Sequence, residues 1–200
     1  MREKYAIYGG TFDPVHIGHI KLADAAVKEC GLYRLIFMPD YVSPFKQDSK
    51  TADASDRYAM LKSVLHYNPA FTLSSYEILK EGPSYTIETL EYWDDVIKGE
   101  LLFVMGFDSV MDVETWKRGE DILRNYPIIT ARRPDTDDES GMRKIEALRA
   151  KYGANITVLD MPPVDASSTE IRNRINSGRE ITGLVPPEVE EYIIEHKLYK

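Results

Sequence analysis

Cysteine is nearly missing from this chain. Cys30 is the only one in 200 residues, so no disulfide can close within it. The N-terminal MREKYAIYGG has too short an apolar stretch for a signal sequence and runs straight into a glycine turn. A cytoplasmic protein is therefore expected. Long apolar runs are missing too. No run approaches the roughly 20 residues of a membrane span, so no membrane association is expected. Basic residues are in deficit: 25 Lys and Arg stand against 33 Asp and Glu, a formal net charge of -8. Nucleic acid is not an expected partner, because phosphate-backbone binding needs clustered Lys and Arg. A small anionic ligand held by a few converging basic groups stays compatible with that charge. The sequence also lacks internal repeats, low-complexity tracts and linker-like boundaries. What remains is an ordinary globular composition, 43% hydrophobic and 29% charged, long enough for one domain with a proper core.

Strand and helix patterns alternate along almost the whole chain. Tyr5 to Tyr8 reads as a short strand ending at Gly9-Gly10, and Ile17, Ile20, Ala23, Val27 and Cys30 recur at helical spacing up to Gly31. Leu35 to Met38 is a second strand, stopped by Pro39. A polar loop carrying Lys46 follows, then a helix over Asp53 to His66 with Tyr58, Leu61 and Leu65 on one face. Phe71 to Ser74 reads as a strand and Tyr85 to Lys98 as a helix. Leu101 to Met105 is continuous enough for a buried parallel strand. Short helical pieces around Val110 to Met111 and Trp116 to Leu123 lead to a strand over Tyr126 to Ala131. Met142, Ile145, Leu148 and Tyr152 mark a helix, Ile156 to Leu159 a last strand, and Ser167 to Ser177 and Pro187 to His196 the closing helices. This alternation predicts a single domain over residues 1–200. It is a Rossmann-like, doubly wound α/β fold whose mostly parallel sheet has helices on both faces. The Gly9-Gly10, Pro39, Gly106 and Arg132 segments all leave strand ends, so they are expected on one edge, where such sheets bind ligands.

The stretch KYAIYGGTFDPVHIGH, Lys4 to His19, is the strongest local signal. A strand, a glycine turn and a helix start present backbone N–H groups to a phosphate, and His16 and His19 add side-chain donors there. Bound polyphosphate would favour imidazolium at this pair. A metal pair is poorly supported, since the spacing is i, i+3 and no third ligand stands near in a zinc-like pattern. Cys30 lies on the apolar stripe of its helix and reads as a core residue rather than a reactive thiol. Lys46 is either a solvated loop lysine or a phosphate contact. Trp116 is either core or a flat face for a planar ring. Thr86 is either a plain helix start or a place where first-turn N–H groups meet a carboxylate. Asp108 is either an N-cap or an acceptor for ribose hydroxyls. Ser167 to Glu170 is a plausible cap region. Arg172 and Arg174 point different ways on the helix that follows, and Arg172 is the phosphate candidate.

GGTFDPVHIGH resembles the signature of the nucleotidyltransferase superfamily. MPDYVSPFKQ, GPSYTIETL, FVMGFDSV followed by Trp116, and SSTEIR with the C-terminal LVPPEVEEYIIEHKLY resemble, in order, further motifs of bacterial nicotinate-nucleotide adenylyltransferases. The resemblance spans nearly the whole chain. It implies that Gly9, Gly10, Thr11 and Phe12 wrap a dinucleotide through their backbone. His16 and His19 bind triphosphate, with Lys46 near the nucleotide phosphates. Thr86 and Trp116 hold a nicotinate ring. Gly106 and Asp108 serve the adenosine side, and Ser168 and Arg172 hold ATP phosphates. Two positions depart from the family pattern. Phe45 stands where a histidine is common, and Ala166 stands where a β-branched residue is expected, a difference of packing.

The implied reaction joins ATP and nicotinate mononucleotide and releases pyrophosphate, a transferase step of NAD biosynthesis. Mg²⁺ is expected, held by phosphates and water rather than by a side-chain metal site. The expected assembly is a monomer or a small homo-oligomer. Competing readings are the same chemistry on nicotinamide mononucleotide or phosphopantetheine, a non-catalytic nucleotide sensor, and an aminoacyl-tRNA synthetase. Thr86 and Trp116 favour a pyridine over phosphopantetheine. The retained histidine pair argues against a sensor, and the acidic 200-residue chain without a tRNA-binding module argues against a synthetase.

Overall fold

The first strand, β1 (Lys4–Gly10), takes a central place in the sheet because its residues are apolar on both faces. In the computed structural model, which describes residues 2–42, 51–132, 138–162 and 164–200, β1 is flanked by β2 (Arg34–Pro39) and β4 (Glu100–Val104). The sheet continues outward to β3 (Phe71–Leu73) on one side and to β5 (Ile128–Ala131) and β6 (Ile156–Leu159) on the other. The order is β3-β2-β1-β4-β5-β6, and every described pairing is parallel. This is the expected doubly wound α/β sheet. The chain leaves β1 toward β2 and later resumes at β4 on β1's other side, so the strand order reverses between β1 and β4. A crevice at the carboxyl ends of those two strands is the natural ligand position in such a sheet.

Successive strand residues face opposite layers. Ala6, Tyr8, Leu35, Phe37, Leu102 and Val104 join one buried cluster. Ile7, Ile36, Met38, Leu101 and Phe103 join the other. The first layer is closed by α1 (Ile17–Cys30), α2 (Ala54–Ser63), α8 (Ser168–Asn176) and α9 (Pro187–Glu195), through residues such as Ala23, Leu61, Ile171 and Val189. The second is closed by α4 (Thr86–Val96), α5 (Phe107–Asp112), α6 (Gly119–Asn125) and α7 (Asp138–Tyr152), through Leu90, Phe107, Ile122 and Ile145. The helix α1 ends as its sequence implies, with Gly31 at φ 65° in the left-handed region and its N–H on Val27 O.

Three sequence expectations are corrected and one short helix is added. The helix read over Asp53 to His66 stops at Ser63 and gives way to a 3₁₀ turn, Leu65–Tyr67. Its buried face carries Arg57, Met60 and Leu61, with Tyr58 only half-buried. Cys30 stands on the core side of α1 as expected: it is half-buried, packs against the core, and burial pushes its thiol up, away from reactive thiolate. Trp116 follows a 3₁₀ turn, Val113–Thr115, and precedes α6 instead of opening a helix. A short helix, α3 (Tyr76–Lys80), was not anticipated, because five residues are too few to display a period. Among the described residues no helix is long and apolar enough to cross a membrane.

Candidate active site

The crevice between β1 and β4 opens into a cavity of roughly 640 Å³. Its walls bring together the Gly9–Phe12 loop, His16, His19, Thr86, Gly106, Asp108, Trp116, Ser168 and Arg172. Residues as far apart in sequence as Gly9 and Arg172 thus meet at one sheet edge, as the strand-end loops require. Lys46, together with Pro44 and Phe45, lies outside the described residues.

The phosphate side is built by the start of α1. His16, 3% exposed, is the N-cap, and its Nδ1 accepts the Gly18 N–H at 3.1 Å. His19 reaches back, and its Nδ1 accepts the His16 N–H at 3.2 Å. The result is a reciprocal capping box made by two imidazoles. The rings stack with centroids 3.7 Å apart, and the face of His19 is bounded by Phe12 at 5.0 Å. With each Nδ1 used as an acceptor, the neutral rings carry their proton on Nε2. This geometry presents two Nε2–H donors beside a helix N-terminus. The glycine between them has a steric cause: a Cβ on Gly18 would stand 3.0 Å from the His16 ring.

The loop before α1 is held from three directions. Phe12 sits at φ 51° in the left-handed region, a strain offset by its ring, which is 2% exposed and packs edge-on against Tyr8 and Phe37. Arg57, 1% exposed, donates to Thr11 O at 2.8 Å, Tyr41 O at 3.0 Å and Ala52 O at 3.1 Å, and pairs with Asp40 at 3.0 Å. Asp40 also accepts from Thr11 Oγ1 at 2.9 Å. Asp13, 2% exposed, accepts from the Ala52 N–H at 3.0 Å and from the Tyr199 hydroxyl at 2.7 Å. Burial and the Asp13 charge push that hydroxyl far above the ordinary tyrosine range.

The start of α8 completes this half. Ser167, not Ser168, is the N-cap, accepting the Glu170 N–H at 3.2 Å. Ser168 donates its hydroxyl to Pro14 O at 3.0 Å. Arg172 donates to Asp13 O at 2.7 Å and lies 3.6 Å from Asp13 Oδ2, which has no hydrogen-bond donor among the described residues. The guanidinium is thereby fixed at the cavity wall. Arg174 turns away and pairs with Glu170 at 2.9 Å. Ser167→Ala is expected to lower stability by about 1 kcal/mol, the usual loss of a serine cap. Urea unfolding of the variant checks this, and an unchanged midpoint would mean that the cap contributes nothing.

On the opposite wall, α4 begins at Thr86. Its N-cap residue Tyr85 gives no side-chain cap to the first turn, so a negative group suits that end. Lys117 lies 4.0 Å over the Tyr85 ring and pairs with Glu88 at 2.7 Å, and Trp116 stands next to it, half-buried. Gly106 is the N-cap of α5 and also lacks a side-chain cap bond. Asp108 lies inside α5, exposed at the cavity, and is not the cap. Glu77, 7% exposed, lines the same cavity, and burial pushes its carboxyl up to about 7 against hydrogen bonds from Thr89 and Ser84.

Sequence reading missed Asp13, Asp40, Arg57, Glu77 and Tyr199. A usable signal existed for Arg57 alone: it falls on the inward side of α2 beside Met60 and Leu61.

A family of cytidylyltransferase-like proteins matches residues 7–174. A probable nicotinate-nucleotide adenylyltransferase of Caldicellulosiruptor bescii is 39% identical over 198 residues, covering 98% of this chain and 99% of its own. One from Clostridium botulinum is 40% identical over 200 residues, covering 99% and 98%. Among solved structures, the Plasmodium falciparum nicotinic acid mononucleotide adenylyltransferase complexed with NaAD superposes with a TM-score of 0.80 at 19% identity, over 98% of this chain and 97% of that one. A putative nicotinate-nucleotide adenylyltransferase from Vibrio parahaemolyticus gives 0.70 at 17%, over 98% and 95%. At those identities the structural likeness speaks for the fold, and the end-to-end relatives near 40% speak for the family: the chain belongs to the nicotinate-nucleotide adenylyltransferases.

Proposed function

We propose that this chain transfers the adenylyl group of ATP to nicotinate mononucleotide, forming nicotinate adenine dinucleotide and pyrophosphate in NAD biosynthesis. The observation that carries the reading is one cavity holding both the stacked His16–His19 pair and the uncapped start of α4 beside Trp116. The first suits a triphosphate. The second suits a flat ring bearing a carboxylate, with first-turn N–H groups and Thr86 facing the charge and the indole facing the ring.

In this reading a phosphate oxygen of the mononucleotide attacks the α-phosphorus of ATP. The new P–O bond forms as the bond to the bridging oxygen breaks, and pyrophosphate leaves with that electron pair. The attacking oxygen is already anionic at neutral pH, so no side chain has to remove a proton. Catalysis then comes from holding two anions in line and meeting the charge that grows on the leaving group. His16 and His19 present their Nε2–H donors there, backed by the N-terminus of α1. Arg172, fixed by Asp13, adds a permanent positive charge, and Lys46 is assigned to the same phosphates from its sequence motif. The Gly9–Phe12 backbone and Ser168 line the nucleotide's path, while Gly106 and Asp108 take the adenosine.

Among the described residues no group of three or more His, Cys, Asp or Glu could hold a metal ion. We assign Mg²⁺ to phosphate oxygens and water, and no protein side chain to it. Such an ion supplies charge neutralisation on the triphosphate.

Pyrophosphate release with ATP and each of three acceptors tests the proposal. Nicotinate mononucleotide is expected to be strongly preferred over nicotinamide mononucleotide, and phosphopantetheine to give nothing. A preference for either of the other two would overturn it.

A further inference from the structure

Glu77 is a buried carboxyl for which adenylyl transfer, as derived above, has no use. It lies on α3 and lines the cavity beside Ser84, Thr86 and Thr89. One oxygen accepts from Thr89 Oγ1 at 2.5 Å, and the carboxyl takes a second hydrogen bond from Ser84. Ser84 Oγ in turn accepts the Tyr41 N–H at 3.1 Å, and its own N–H donates to Val42 O at 3.1 Å. A single carboxyl therefore ties α3 to the first turns of α4 and to the chain leaving β2. Thr86 precedes Thr89 by three residues on α4, so their Cβ atoms are neighbours on one helix face, roughly 5–6 Å apart. An anion held at the start of α4 lies about one helical turn from the Glu77–Thr89 bond.

We propose that Glu77 is a positioning and specificity residue of the pyridine half of the site, holding the Ser84–Thr89 segment and favouring, in its neutral form, an acceptor whose ring carries a carboxylate. This rests on nicotinate mononucleotide being the acceptor. The physical reason is that two carboxyl groups in one enclosed site resist being ionised together. The other charged groups facing Glu77 are Asp40, from the end of β2 and paired with Arg57, and Lys80, from its own helix and engaged by Glu88. Burial pushes the Glu77 carboxyl up to about 7, so both of its forms are populated near neutral pH. A nicotinate carboxylate arriving at Thr86 shifts Glu77 to its neutral form and draws a proton from solvent. A nicotinamide ring brings no charge and draws none. The two mononucleotides carry the same phosphate, so proton changes at that phosphate or at the histidines cancel between them.

The test is calorimetric titration of the whole chain with each mononucleotide, in buffers of differing ionisation enthalpy. Near pH 7.5, nicotinate mononucleotide is expected to take up about half a proton more than nicotinamide mononucleotide. Its Kd should weaken about three- to tenfold, relative to that of the nicotinamide form, as pH rises by roughly two units through the Glu77 range. Glu77→Gln should abolish both the extra uptake and the relative pH dependence. Thr89→Val, which removes a donor from the ionised form, should move the dependence to higher pH, and it keeps the test open if Glu77→Gln folds poorly. Equal uptake for both ligands, or extra uptake that survives in Glu77→Gln, would overturn the role of Glu77 and leave the reaction standing. If pyrophosphate release showed a different acceptor, the reading of the reaction itself would fail.

Discussion

Replacing His19 with alanine is expected to lower kcat by ~10²-fold or more, the scale on which enzymes lose a donor aimed at developing negative charge. The KM values should change little, because the donor matters most as the bond to pyrophosphate stretches. The residue has a second job, however. Its Nδ1 accepts the His16 N–H, so alanine also opens the cap of α1. His19→Asn separates the two. An asparagine amide oxygen can take the place of Nδ1 and restore the cap, but no part of it reaches where Nε2–H stands. The asparagine variant should therefore unfold near the wild-type temperature while its kcat stays as low as that of the alanine variant. Steady-state rates with thermal melts decide the matter. Near-normal turnover in His19→Ala would sink the assignment.

Arg57→Met should produce the largest loss of stability. The methionine fills the volume but supplies no donor, which deprives Asp40 of its guanidinium partner and Thr11, Tyr41 and Ala52 of a donor to their carbonyls. Removing one member of a buried ion pair costs about 3–5 kcal/mol. For a chain of this length that corresponds to a fall in Tm of roughly 10 °C. The double variant Arg57→Met, Asp40→Asn should recover part of the loss, since the buried charge left by the first change is removed by the second. Urea unfolding of the single and double variants measures this coupling. A single variant within about 1 kcal/mol of wild type would show that the pair contributes no more than an ordinary surface bridge.

The parts of the site that could be read from sequence are those whose chemistry is local. The histidine pair, the glycine turn and the helix start they share lie within one short stretch, and the sheet follows from alternating periods. The supports were opaque for a common reason. Asp13 depends on Tyr199, Arg57 on Thr11 and Asp40, and Glu77 on Ser84 and Thr89, and no spacing rule links such positions. Charged residues are assigned to solvent by hydropathy, so a buried arginine on α2 made the apolar stripe look as though it ran through Tyr58 and on to Leu65. Ser168 and Ser167 are adjacent and alike, and only backbone angles show that Ser167 caps while Ser168 ties α8 to Pro14.

The clasp of Tyr199 on Asp13 bears on how the protein is made. Strands β1 and β2 are neighbours in sequence and can pair while the ribosome is still reading the middle of the message. The loop after β1 cannot be completed then. Its carbonyl at Pro14 waits for Ser168, the N–H of Ile17 bonds to Leu184 O at 3.0 Å, and Asp13 meets the Tyr199 hydroxyl 186 residues further along the chain. The loop after β1, among the first segments of the sequence, is thus closed only by segments far downstream, so its final geometry waits on the packing of α8, Leu184 and Tyr199.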